Sequence, residues 1–443
     1  MMPLSGSRHK RHKTQPPWMA TTLMVDESRP RKPVIIKISD GVYCAHEYAL
    51  ANAFFIVTAD SVIVIDTTES LPAACAVLNE LRQISPLPVS HLIYTHHDGD
   101  HTLAAKVFCT AATRIIAQRL LPQEIARKHL LLPYLQRVTA HRHGQVPRSA
   151  LDPAACADMT PERIDPGYLP PGVTFDDKYC FEQGGVAVEL FHAPGETVDQ
   201  TAVWLPQKRV LFPADLFYAY FPSSPLRTDR PVAAWADSIE RLRALRPEHL
   251  APSAGRPVAG AAEIDEMLAN YSRAIRHVHD ETVRCINAGQ TVEEAIQEVK
   301  LPEDLAKLPY LRQKYGKLSW AVRGLFRQYT GWYTFNPTDL DPRPEPLRHR
   351  TLVRVCGAAP LIERAQKALE ERQYQLALEL TDIVLSVQAD HPFAARLRLG
   401  ALQNLAGQSH NNVERNLYRN SAKVARAALQ RRERNRGEQL LSR

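Results

Sequence analysis

No two of the seven cysteines in this 443-residue chain stand at C-x-x-C spacing; they fall singly at 44, 75, 109, 156, 180, 285 and 356. An odd, unclustered count argues for reduced thiols and an intracellular compartment. Long apolar runs are missing too. No stretch reaches the about 20 residues that a membrane span needs. The N-terminus is basic but has no apolar segment of the secretory-signal kind. It is also short of acids before Asp26, so the expected location is cytoplasmic, with a mitochondrial transit peptide as the alternative to a disordered tail.

The chain carries a formal net charge of +7, a surplus that could suggest nucleic acid. Much of it sits at the two ends. The run Arg8-His9-Lys10-Arg11-His12-Lys13 has no acid beside it, and Arg431-Arg432-Glu433-Arg434-Asn435-Arg436 is similar. Basic tails are more often solvated ends than binding sites, so nucleic acid is not an expected partner. A hydrophobic fraction of 44% and a charged fraction of 23% are those of a soluble globular protein. The length suggests about two to four domains.

The informative segment is His96-His97-Asp98-Gly99-Asp100-His101, directly after the apolar run Leu92-Ile93-Tyr94. Imidazoles and carboxylates crowded at a buried strand end are poor core residues unless something positive pairs with them. A tight turn leaving a strand would bring His96 and Asp98 to one ion, with Asp100 and His101 facing a neighbouring one. Zinc accepts both ligand types, and a catalytic site keeps a position open for water.

Around this loop the sequence alternates strand and helix. Val34–Ile38, Gly41–Cys44, Ala53–Val57 and Ser61–Asp66 read as short strands. Leu71 to Ile84 has helical periodicity, and His91 to Thr95 is the next strand. The stretch 120–172 reads as an irregular insertion beside the cleft. Strand character returns at Val173 and through Val186–His192, Thr201–Leu205 and Arg209–Phe212, after which Asp215 lies at a second strand end. From Pro231 the chain becomes helical. A linker spans 331–346, and an all-helical end follows in which 374–400 has one tetratricopeptide-like hairpin.

Several of these segments together resemble the alkyl-sulfatase branch of the metallo-β-lactamase superfamily. The metal loop is similar to the signature H-x-H-x-D-H, with Asp98 where the family has its second histidine. Val64-Ile65-Asp66-Thr67, Ala193-Pro194-Gly195-Glu196-Thr197 and Phe212-Pro213-Ala214-Asp215 resemble segments around that site. Tyr329-Thr330-Gly331-Trp332-Tyr333 and residues 359–431 resemble the branch's middle and its dimerisation region.

The resemblance implies an αββα sandwich of the α/β class followed by an all-α C-terminal domain. It implies a basic disordered tail over 1–33, a catalytic domain over 34–260, a helical extension and linker over 261–347, and a dimerisation-like domain over 348–443. It further implies metal ligands at His96, Asp98, Asp100, His101 and Asp215, with Glu196 and Asp199 competing for one more position. Arg227 would hold the anionic head of the substrate, and Asp100 would position or deprotonate the attacking water. Ala254 stands where the family places a further histidine. The implied cofactor is Zn2+, as one or two ions, with manganese or iron as alternatives because carboxylates suit harder ions. The implied activity is hydrolysis of small anionic alkyl sulfate esters by a homodimer. The alternative is a binding or scaffold protein that keeps the fold with an impaired metal site, given Asp98 and Ala254.

Overall fold

Strands whose apolar residues occupy every position, rather than alternate ones, need cover on both faces. The stretches 53–57 and 62–65 are of this kind. Phe54, Ile56, Ile63 and Ile65 point into one core, Ala53, Phe55, Val62 and Val64 into another, and all are buried. A computed structural model describes residues 32–131, 134–135, 138, 167–218, 221–222 and 230–441, with side chains described as far as residue 431.

Among the described residues the first sheet has the order β1-β2-β3-β4-β5-β6-β7. Its strands are β1 (Val34–Ser39), β2 (Val42–His46), β3 (Ala53–Val57), β4 (Val62–Ile65), β5 (Val89–Ile93), β6 (Arg114–Gln118) and β7 (Val173–Phe175). β1 to β4 form an antiparallel meander, and β4 to β7 run parallel. The second sheet has the order β13-β12-β11-β10-β9-β8. It contains β8 (Lys178–Gln183), β9 (Val186–His192), β10 (Thr201–Leu205), β11 (Val210–Ala214), β12 (His249–Pro252) and β13 (Val258–Ala259).

The two sheets share an apolar layer in which Phe54 and Ile65 meet Val203, Leu205 and Phe212; Phe54 and Phe212 touch edge to face at 5.0 Å. The outer face of the first sheet is covered by α1 (Leu71–Ile84), by residues of α3 (Ala105–Phe108) and α4 (Leu121–Leu130), and by Ala104, which follows the short α2 (Gly99–Thr102). Ser70 caps α1 by accepting from the Ala73 amide at 3.3 Å, and Pro72 in the first turn costs that helix no hydrogen bond. α5 (Val232–Arg243) and α6 (Ala261–Asn287) cover the second sheet through Trp235, Ile239, Ile264, Leu268 and Tyr271. The layers are therefore helix, sheet, sheet, helix, as the resemblance implies.

The rest is helical: α7 (Val292–Glu298), α8 (Glu303–Ala306), α9 (Leu318–Thr330), α10 (Glu345–Cys356), α11 (Ala358–Glu370), α12 (Tyr374–Val387), α13 (Pro392–Gln408) and α14 (Asn412–Leu441). α11, α12 and α13 approach closely where Ala368, Ala377 and Ala401 meet, small side chains that let three backbones come together. The start of α14 then returns to the sandwich. Asn411 Nδ2 donates to the carbonyls of Gln313 and Gly316, Lys317 pairs with Glu414 at 2.6 Å, and Val413 packs against Tyr218, Ala254 and Tyr315. The six described cysteines are free thiols.

Candidate metal centre

Chain segments leaving the ends of β4, β5, β11 and β12 gather at one edge of the sandwich, where sites on such sheets form. Cross-sheet bonds fix this edge. The Thr201 amide donates to the Thr95 carbonyl at 2.7 Å, and the Asn52 amide to the Ser253 carbonyl at 2.7 Å. Asp66 and Ala214 adopt positive φ values of 59° and 52° as β4 and β11 end. Non-glycine residues seldom hold that conformation, and here it turns the chain into the cluster.

Asp66 organises the loop after β5. Its carboxylate accepts from the Thr95 amide (2.8 Å), from Thr95 Oγ1 (2.7 Å) and from His101 Nδ1 (2.7 Å). Because the Thr95 hydroxyl spends its proton on Asp66, it accepts from His96 Nδ1 at 3.1 Å. Both rings are thereby turned so that Nε2 faces the cavity. This is the outer support that metal-binding histidines usually have.

The two Nε2 atoms and the Asp215 carboxylate converge. Asp215 Oδ2 lies 3.6 Å from His96 Nε2, and Asp215 Oδ1 lies 3.7 Å from His101 Nε2. One ligand atom from each of these buried residues lies within 4.8 Å of the others, close enough to hold a metal ion. Asp98 Oδ2 is 3.7 Å from His96 Nε2, and Asp100 Oδ2 is 3.6 Å from His101 Nε2. His96 Nε2, His101 Nε2 and Asp215 Oδ1 are buried with no hydrogen-bond partner among the described residues. Buried polar atoms left bare are costly, so the donor set fits a cation.

The electrostatics agree. Burial lowers the basicity of the His96 and His101 rings, but the surrounding acids outweigh it. His96 is raised by Asp215 and Asp98, and His101 goes well above its ordinary value through Asp66, Asp100 and Asp215. Burial, with Glu196 and Asp100 adding to it, pushes Asp215 up to about 7. Without an ion these groups hold protons, and a metal would displace them.

Glu196 and Asp199 take different surroundings. Glu196 Oε1 receives Arg230 Nη2 at 2.5 Å, and the Tyr218 hydroxyl contacts both Glu196 and Asp215. Glu196 is buried, yet Arg230 keeps its carboxyl below the usual range. Asp199 instead accepts from His97 Nδ1 at 2.7 Å, which lowers it against the pull of burial. Ala254 is buried against Tyr218, Tyr315 and Val413. Arg227 lies outside the described residues, as do residues 1–31 of the basic tail and most of the insertion.

Comparison with known proteins agrees with this arrangement. Residues 49–254 match the metallo-beta-lactamase superfamily, and residues 291–428 match the alkyl sulfatase dimerisation family. A linear primary-alkylsulfatase from Pseudomonas sp. is 31% identical over 389 residues, covering 82% of this chain and 72% of that protein. The chain belongs to the alkyl sulfatase family of the metallo-β-lactamase superfamily. An alkyl/aryl-sulfatase from Saccharomyces cerevisiae is 25% identical over 411 residues, covering 87% of this chain and 62% of its own length. In fold, the chain is similar to the stereoselective inverting sec-alkylsulfatase of Pseudomonas sp., with a TM-score of 0.79 at 22% identity. That match covers 89% of this chain and 66% of the solved one.

Four residues at this family site were not singled out from sequence. Tyr218 follows Asp215 by one helical turn's spacing, a weak signal. Arg230, Lys128 and the inward-facing His97 gave none, because their partners lie 34, 30 and 102 positions away.

Proposed function

We propose that this protein is a metal-dependent hydrolase of alkyl sulfate esters. The observation that supports this most is Asp215, whose two oxygens face two imidazoles already oriented from behind, in a chain 31% identical to a linear primary-alkylsulfatase. In this reading His96, Asp98, Asp100, His101 and Asp215 are the ligands. Glu196 meets Asp215 through Tyr218, whereas Asp199 orients His97, and the contact with Asp215 supports Glu196 as the further acid of the centre. One or two bound ions, zinc or a harder manganese or iron, supply Lewis acidity and lower the pKa of water.

The chain's own groups do the rest. Asp66 and Thr95 keep the histidine rings in one tautomer. Arg230 holds Glu196 ionised, and Asp100 accepts a proton at the cavity edge. Arg227 remains the proposed grip on the sulfate head. Elemental analysis of purified protein should find at least one tightly held transition metal, and the loaded protein should release inorganic sulfate from a linear primary alkyl sulfate. A folded protein that retains no metal would leave the scaffold reading standing. A loaded protein that releases no sulfate would overturn the substrate.

We also propose a homodimer formed through the helical C-terminal part. α10 has no buried residue, and Trp332, Phe335, Leu340 and Val355 in and before it are at least 61% exposed. So much exposed apolar surface within residues 332–355 is what a partner covers. Light scattering at micromolar concentration should give twice the chain mass. Trp332→Ser with Phe335→Ser should shift it towards the monomer while the metal content stays the same.

A further inference from the structure

Asp98 sits at the N-terminal boundary of α2, where an aspartate commonly caps the helix with its own carboxylate. Here the side chain makes no cap hydrogen bond. Its two oxygens are turned elsewhere. Oδ1 lies 2.7 Å from Lys128 Nζ on α4, and Oδ2 points to His96 Nε2 at 3.7 Å. Lys128 also donates to the His97 carbonyl at 2.9 Å, so one ammonium ties both the backbone and the carboxylate of the loop. The side chains of the pair are 25% and 24% exposed, too covered for an ordinary solvated surface contact.

We propose that Lys128 is a positioning residue for the metal centre, holding Asp98 by one oxygen so that the other is presented beside His96. The inference rests on the metal reading above. A carboxylate at 98 is free to rotate, unlike an imidazole braced by its second nitrogen, and it adds a negative charge. Lys128 answers both needs. It fixes the rotamer through Oδ1 and balances the charge, much as carboxylates that bind metals are themselves hydrogen-bonded from behind. Removing Asp98 alone leaves that ammonium uncompensated beside a site built for a cation. The effect of Lys128 on metal binding therefore depends in sign on what stands at 98.

The test is the zinc dissociation constant of the full chain, measured by competition with a chelator, for wild type, Lys128→Met, Lys128→Arg, Asp98→Asn and the Asp98→Asn/Lys128→Met pair. With Asp98 present, Lys128→Met should weaken zinc about 10–100-fold, the usual loss for an outer partner, and Lys128→Arg should restore most of it. With Asn at 98, Lys128→Met should tighten zinc, by about tenfold, because it removes a repelling charge. Metal-free melting curves report folding, and Lys128→Gln replaces the Met variant if that one unfolds. If Lys128→Met weakens zinc in both backgrounds, its role is general packing. If it tightens zinc in both, its role is charge alone. Either result overturns the proposal. A wild-type chain with no measurable affinity for zinc, manganese or iron would overturn the metal reading with it.

Discussion

Replacing Asp215 by Asn should strip the protein of its metal and lower any sulfatase activity by a factor on the order of 10³ or more, well beyond the about 10–100-fold expected for an outer partner. The reason is geometric. Asp215 faces both His96 and His101, each through a different oxygen, so one substitution removes a ligand atom from both halves of the cluster. An amide keeps the shape but offers one neutral oxygen. Its NH2 would point at an imidazole nitrogen or at the Tyr218 hydroxyl.

Asp66→Asn is the contrast. Asp66 bonds His101 Nδ1 and Thr95 from behind, and its loss should cost only the smaller factor. The pH dependence adds a second readout. Because Asp215 titrates at about 7 and His101 well above its ordinary value, protons occupy the cluster below neutrality. Wild-type metal affinity should thus rise as pH increases through 7, by about tenfold per unit for each proton displaced. Metal content by mass spectrometry, after dialysis at pH 6 and pH 8, checks both points. Retention of a full complement by Asp215→Asn would remove Asp215 from the centre.

The metal loop was legible because its chemistry is local. Five ligand-type residues lie within six positions behind a strand, and no packing role explains them there. The sandwich came with the family resemblance, and the fold shows what sustains it: strands such as β3 and β4 are apolar at every position and buried on both faces. What sequence left open was set by contacts across the fold. Glu196 and Asp199 are both acids on one short turn, and spacing gives no way to choose between them. In the fold they differ in what reaches each from elsewhere, Arg230 and Tyr218 in one case and His97 in the other. Likewise Ala254 reads in sequence only as a missing ligand. In the fold it is a packed position, closed by Tyr218 and by Val413 from α14, some 160 residues further along.

Arg230→Met should be among the most destabilising single substitutions in the chain, by about 3–5 kcal/mol, the usual cost of breaking a buried ion pair from one side. The pair is buried on both members, with side-chain exposures of 6% for Arg230 and 5% for Glu196. Removing the guanidinium leaves Glu196 buried beside Asp215 with no opposite charge from Arg230, and forfeits the stacking of Arg230 on Trp235 at 5.9 Å. The sign of the pH effect follows. In the wild type Glu196 is held below its ordinary value, so the pair's stabilisation is present above the unfolded carboxyl pKa and fades as pH falls through the folded one. In Arg230→Met the largest group opposing burial is gone, and burial with the charge of Asp98 moves Glu196 upward. The penalty is then full at neutral pH and shrinks as acid protonates the carboxyl. Urea unfolding of metal-free protein at pH 7.5 and near pH 5 reads this directly, and the Arg230→Met/Glu196→Gln pair should recover most of the loss because no charge is left stranded. A loss of less than about 1 kcal/mol for Arg230→Met at pH 7.5, the range of exposed pairs, would mean that Glu196 is reached by solvent or by another cation, and that Arg230 does not set its charge.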